Sequence, residues 1–223
     1  MSDALEKQTL EIHLERYAFA ARHLSSGNIL DLACGVGYGC YLLAEKTGSS
    51  SLYGVDADQE SIQYARRKYA HKKIQFVIGD AANFNPPEPV SNIVSLETIE
   101  HLRQPEIFLK HIAGLLPIGG RLIASVPITP SMDINPFHLH DFTRDSFCKM
   151  LVNNNFKLLD SMVQVQKYEF NSLFKTKTKK YKLNITGILK VYMKHPAKIF
   201  TRLHSLAEDG LSNKYFVGVF EKR

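Results

Sequence analysis

Two glutamates and a histidine stand at the spacing Glu97-x-x-Glu100-His101 in the stretch SLETIEHL, and His138 and His140 follow in NPFHLHDFTRDSF. If a helix begins at Glu97, the first three residues share one face, because side chains at i, i+3 and i+4 are neighbours. Three chemistries fit that face. It is a solvated helix start whose acids meet the positive end of the helix dipole. It is an acid–base group beside a substrate, with a histidine titrating near working pH. Or it is part of a divalent-cation site, since carboxylates with imidazoles suit Mg2+, Mn2+ or Zn2+.

Three more carboxylates close apolar runs. Asp31 lies in NILDLACGVGYG ahead of Gly35, Gly37 and Gly39, Asp56 ends SLYGVD, and Asp80 ends IQFVIGD with Ala81 after it. In an open α/β sheet the carboxyl ends of such strands line one crevice. Acids there, with glycines that let the backbone come close, suit a ligand with a cationic amino acid part, a ribose and a purine. A pyrophosphate is poorly matched to that ring of negative charge. A dinucleotide-binding G-x-G-x-x-G would begin at Gly35 and Gly37, but Cys40 stands where that pattern needs Gly or Ala.

The elements that must hold these residues follow from periodicity. Residues 4–24 carry apolar positions at Leu10, Leu14, Tyr17, Ala21 and Leu24, a helical stripe. Strand-like runs then alternate with helical ones: NILDLAC, SLYGVD, IQFVIGD, SNIVSL and RLIASVP are separated by helical stretches, of which DQESIQYARRKYA has Asp58 placed as N-cap. Two last strands, FKLLDSMVQVQ and KYFVGVFEK, follow the helix TRDSFCKMLVNN. The pattern predicts an α/β, doubly wound, Rossmann-like sheet of seven strands with the last strand antiparallel. It is read as a single domain over 1–223, with an N-terminal helix or lid over 1–25 and a basic insertion over 168–212 between the last two strands.

Length and composition agree with one such domain: 223 residues, 44% hydrophobic and 22% charged, exclude a disordered chain. The N-terminus lacks an apolar core and no stretch is long and apolar enough for a membrane span. With three cysteines in no zinc or redox spacing, a reduced, cytoplasmic setting is expected. Charge is uneven. Nine Lys/Arg and no acid lie between Phe170 and Ala207, which leaves 19 basic against 22 acidic residues elsewhere.

In register, NILDLACGVGYG, GVDADQESIQYAR, FVIGDA, VSLETIEHL and GGRLIASVP resemble class I S-adenosylmethionine-dependent methyltransferases over about residues 10–165. The resemblance implies that Asp31, Gly35 and Gly37 face the methionine part, Asp56 holds the ribose hydroxyls, and Ala57 lies against the adenine. It further implies that Asp80 and Ala81 serve the adenine edge, with Leu96 also against the cofactor. The loop after the fourth strand then lies beside the transferable methyl. The E-x-x-E-H segment with His138-Leu-His-Asp-Phe-Thr-Arg resembles small-RNA 2′-O-methyltransferases, and its first half resembles ubiquinone-pathway O-methyltransferases. Bacterial glycan-cluster methyltransferases are also similar. The first group implies Glu97, Glu100, His101 and His138 as ligands of Mg2+, Mn2+ or Zn2+; without a metal, His101 or His138 is the general base, with Glu97 beside it. Arg16, Tyr17 and His140 are candidate substrate contacts.

The expected reaction is methyl transfer from S-adenosyl-L-methionine to a hydroxyl of a sugar, glycan or glycolipid precursor. A terminal ribose of RNA and a catechol are the alternatives within the fold, and an inactive cofactor-binding partner subunit is the alternative outside it. The lysine- and aromatic-rich residues 175–202 fit an anionic or lipid-linked substrate, nucleic acid, an anionic membrane surface or an oligomer contact.

Overall fold

The computed structural model describes residues 2–131, 135, 137–167 and 212–223, with scattered positions between 192 and 210. Helix α1 (Ser2–His23) leads into alternating β1 (Ile29–Leu32), α2 (Tyr38–Lys46), β2 (Leu52–Asp56), α3 (Gln59–Lys68) and β3 (Ile74–Ile78). Strand β4 (Asn92–Leu96), α4 (Pro105–Leu115), β5 (Arg121–Pro127) and α5 (Arg144–Asn153) continue the alternation, and β6 (Phe156–Lys167) and β7 (Ser212–Lys222) close it. One seven-stranded sheet results, in the order β3-β2-β1-β4-β5-β7-β6. The first five strands are parallel, and β7 inserts antiparallel between β5 and β6. The expected architecture is the observed one. The expectations placed on 175–202 fall almost wholly outside the described residues. No helix among the described residues is long and apolar enough to cross a membrane.

Alternation along the central strands divides the core. Leu30 and Leu32 of β1 face Phe108, Leu109 and Ile112 of α4 and Phe147 of α5. Ile29 faces the other side, with Tyr17, Phe19 and Ala20 of α1, Leu43 of α2 and Ile62 of α3. Side chains of period two put Asp31 on the same face as Ile29, toward α1 and α2. That parity has consequences for the site.

Local signals fix the helix starts. Asp58 caps α3 by accepting from the Ser61 amide at 3.0 Å, and Thr143 and Ser146 form a reciprocal capping box on α5. The stripe expected on α1 is displaced: Leu10 is exposed, while Arg16, Tyr17, Phe19 and Ala20 are buried. An arginine on the buried face broke the apolar reading. Gly39 explains how close α1 approaches, since a Cβ there would meet the Tyr17 ring at 2.0 Å. Helix α1 thus packs through the buried side chains of Arg16, Tyr17, Phe19 and Ala20.

Candidate active site

The turn after β1 is built by backbone. Ala33, Gly35 and Gly37 have φ of 61°, 56° and 88°, a left-handed run that carries the chain from strand into α2. A side chain at Gly37 would strike Ala65 at 2.7 Å and Phe76 at 2.8 Å, whereas a Cβ on Gly35 would meet nothing within 4 Å. Gly35 therefore faces open space. Its amide donates to Asp56 Oδ2 at 2.7 Å, and the Asp58 amide donates to Asp56 Oδ1 at 2.9 Å. The Asp56 carboxylate thus ties the first turn to the second, and each oxygen retains capacity for another donor. Ala57 and Asp80 are exposed beside it, Ala81 is buried, and Asp80 Oδ1 accepts from the Ala82 amide at 2.9 Å. Leu96 is half-buried at the end of β4.

Asp31 departs from the expectation that it faces the methionine part. It is fully buried on the α1 side of β1 and accepts from Tyr17 OH at 3.1 Å and from Cys40 Sγ at 3.1 Å. Burial pushes its carboxyl up to about 7 against the lowering pull of those two donors. Tyr17 is correspondingly no substrate contact: its phenol, 5% exposed, holds Asp31 beneath the loop. Beside it, His13 Nδ1 lies 2.6 Å from the Tyr38 hydroxyl at the start of α2.

The turn after β4 is built by side chains. Glu97, Glu100 and His101 do not share a helical face, because only a 3-10 turn, Ile99–His101, forms there and Glu97 precedes it with φ of 52°. A left-handed glutamate is strained by about 1–2 kcal/mol, so its surroundings must hold it. Ser125 of β5 does so twice: its Oγ accepts from the Glu97 amide at 3.0 Å and donates to Glu97 Oε1 at 2.8 Å. Arg16 Nη1 lies 3.4 Å from the same oxygen. Arg16, 1% exposed, is also no substrate contact: Nε donates to Gln164 Oε1 at 2.8 Å and the guanidinium stacks 4.1 Å over Tyr215. Burial pushes the Glu97 carboxyl up, opposed by Arg16, Ser125 and His101.

Glu100 is enclosed completely. Both carboxylate oxygens are sealed from solvent and have no partner among the described residues. Burial, then the charge of Glu97, holds its carboxyl well above the usual carboxylate range. The segment after β5 is strapped over this turn: the Leu139 amide donates to Glu100 O at 2.8 Å, His101 Nδ1 to Phe137 O at 3.0 Å, and His140 Nε2 to Leu102 O at 2.8 Å. A carbonyl can only accept, so His101 Nδ1 carries a proton. His138 stands edge-on to His101, ring centroids 4.7 Å apart, with Nδ1 2.7 Å from Ser131 Oγ. Burial, then His101, drops the His138 imidazole to about 4, so it is neutral at neutral pH.

The strap brings three of the four expected ligands together. One donor atom each from Glu100, His101 and His138 lie within 4.8 Å of one another, a little wider than the ~3–4 Å between ligands around a bound divalent ion. One carboxylate and two imidazoles are a coherent donor set, and an orphaned buried carboxylate is what a cation would satisfy. Glu97 is not among them. His140 lines an open groove of about 780 Å3 with Ile128, Phe142, Lys149 and Met150.

Ser125, Gln164 and Tyr215 escaped the sequence reading. Ser125 is the one hydroxyl inside the apolar run RLIASVP, a signal that was available; Gln164 and Tyr215 are joined to Arg16 only by the pairing of the last two strands.

Residues 29–120 match the Methyltransferase domain family. A Mycobacterium tuberculosis protein named "Probable S-adenosylmethionine-dependent methyltransferase" is 26% identical over 159 residues, 68% of this chain and 57% of that protein. The fatty-acid O-methyltransferase of Mycolicibacterium smegmatis is 25% identical over 121 residues, 54% of this chain and 44% of that enzyme. The chain thus spans about half the length of these curated relatives. A Bacillus halodurans structure described as a methyltransferase superposes with a TM-score of 0.71, 15% identical, over 94% of this chain and 97% of its own, a likeness of fold.

Proposed function

The chain carries a class I S-adenosylmethionine-dependent methyltransferase domain, and on that premise we propose that it methylates a hydroxyl oxygen of a sugar, glycan or glycolipid precursor with the aid of a divalent cation. One observation carries the cation: both oxygens of Glu100 are buried and unpartnered among the described residues, beside two imidazoles. An ionised carboxylate so placed costs several kcal/mol unless a positive charge covers it.

S-adenosyl-L-methionine supplies a methyl group already activated on sulfonium sulfur, so the protein's part is placement and proton removal. Gly35 leaves the backbone open to the cofactor, Asp56 offers its remaining lone pairs to the ribose hydroxyls, and Ala57, Asp80 and Ala81 stand where the adenine would rest. Glu100, His101 and His138 would hold the cation, which lowers the pKa of a hydroxyl and orients a vicinal diol. Glu97, beside that group, presents a carboxylate to the departing proton. The groove lined by His140 offers room for the rest of an extended acceptor. The choice of a sugar rests on the resemblance in sequence, and that of oxygen on the Glu100 cluster and on the fatty-acid O-methyltransferase relative.

A transfer screen with labelled cofactor across sugars, catechols, short RNAs and amines tests the reading. Turnover on a vicinal diol, lost on exhaustive chelation and restored by Mn2+, is the expected result. Turnover on amines alone overturns the hydroxyl acceptor, and full activity after chelation overturns the cation.

A further inference from the structure

We infer that Arg16 withholds Glu97 from the cation site, so that the chain ligates a divalent ion through Glu100, His101 and His138 alone. The cation part of this rests on the reading above; the pairing of Arg16 with Glu97 does not.

The geometry favours a committed pair. Arg16 is always charged and is 1% exposed. Its described contacts are a neutral amide (Gln164), an aromatic face (Tyr215) and the Glu97 carboxylate, so Glu97 is its close counter-charge. To join the cluster, Glu97 would have to leave Ser125 and strand a buried guanidinium, among the most destabilising events in a protein interior. The backbone points the same way. Glu97 holds φ of 52° with its amide on Ser125, whereas Glu100 and His101 leave the same segment on the following 3-10 turn. The two glutamates, three residues apart, therefore differ in their contacts: Glu97 lies against the Arg16 guanidinium and the Ser125 hydroxyl, whereas neither oxygen of Glu100 has a partner among the described residues.

The arrangement also assigns an orientation. Glu97 Oε1 accepts from Ser125 and lies beside Arg16, while Oε2 has no hydrogen bond among the described residues and the side chain is 19% exposed. Arg16 is thus a positioning residue: it fixes which oxygen of Glu97 is available. A three-residue ligand set leaves more coordination positions open to substrate than the four-residue set implied by resemblance.

Binding of Mn2+ by calorimetry and of Co2+ by visible absorption tests this on the full chain without any methyl acceptor. Glu97→Gln should keep Mn2+ affinity within about threefold of wild type and leave the Co2+ spectrum unchanged, whereas Glu100→Gln should weaken binding by at least about tenfold. Arg16→Met should free Glu97, altering the Co2+ spectrum, and adding Glu97→Gln to it should restore the wild-type spectrum. A Glu97→Gln loss equal to that of Glu100→Gln overturns the inference. Thermal unfolding of wild type, Arg16→Met, Glu97→Gln and the double variant, without metal, should show the double costing less than the two singles together. Additive losses overturn the pair. If Arg16→Met does not fold, Arg16→Lys takes its place in both measurements. Absence of ion binding by wild type overturns the cation reading and the three-ligand site, and the thermal cycle then decides the pair by itself.

Discussion

The two halves of the crevice solve opposite problems with different materials. At the β1–β3 end, backbone does the work: left-handed turns at Ala33, Gly35 and Gly37 open space, and each oxygen of the Asp56 carboxylate accepts from one amide, of Gly35 or Asp58. At the β4–β5 end, side chains do it: Glu97 is held by Ser125 and Arg16, and His101 by a carbonyl 36 residues away. The first half is satisfied as it stands, while the second contains a sealed carboxylate, Glu100, with no partner among the described residues. A region that binds a common cofactor can be complete before the ligand arrives. On the proposed reading, a region that takes a cation and an acceptor carries an unpartnered carboxyl in advance, at a cost in stability.

The largest effect should come from breaking the satisfied half. Asp56→Ala removes the acceptor of two backbone amides and of the proposed ribose contact; with charged hydrogen bonds worth about 1.5–3 kcal/mol each, S-adenosylhomocysteine affinity should fall on the order of 100-fold. Calorimetry measures it, and unchanged affinity would mean the carboxylate does not organise that pocket.

Breaking the unsatisfied half should have the reverse sign. Glu100→Gln replaces a buried carboxyl, whose ionisation burial and Glu97 oppose, with a neutral amide, so in alkaline buffer, where the carboxyl is driven to ionise, the metal-free variant should melt on the order of 5 °C higher than wild type. It should lose the stabilisation that Mn2+ gives wild type and keep its affinity for S-adenosylhomocysteine. A lower melting temperature would show that Glu100 has a structural partner.

What could be read in advance follows the same division. The Gly-rich turn, Asp56 and Asp80 are local: each is a residue type fixed at a strand end, where an alternating α/β sheet leaves one crevice. The seven strands and the antiparallel last one follow from run lengths alone. Glu97 and Glu100 were legible as a pair by spacing, but their separation depends on a left-handed residue and on Arg16 from α1, and neither leaves a periodic signature. Asp31 was misplaced for a simpler reason: strand parity with Ile29 turns it under α1, away from the crevice.

Asp31 sharpens the comparison from within the cofactor half, where it is the one carboxylate fixed by side chains. Burial raises its carboxyl from the ordinary 3.8 to about 7 in the fold, so between those values the native state binds the extra proton. Stability therefore contains a contribution present in full below about pH 4, lost as pH rises toward 7 and absent beyond. In Asp31→Asn that contribution does not titrate. About three pKa units are worth roughly 4 kcal/mol, so the melting temperature of the variant relative to wild type should climb by on the order of 10 °C from pH 4 to pH 7 and then stay level. A difference independent of pH would mean that Asp31 is solvated.

The smallest effect belongs to Tyr17, which touches the cofactor half only through Asp31. Tyr17→Phe keeps the ring that packs against Gly39 and deletes the hydroxyl 3.1 Å from Asp31 Oδ2. One donor to a buried carboxylate is worth about 1–2 kcal/mol, partly offset because Asp31 can take up a proton. The melting temperature should fall by about 2–4 °C at pH 8 and by less at pH 5. Because the phenol acts beneath the loop, S-adenosylhomocysteine affinity should change by less than about threefold, far short of the Asp56→Ala loss. A larger loss would place Tyr17 against the ligand itself and merge the support of the loop with the lining of the pocket.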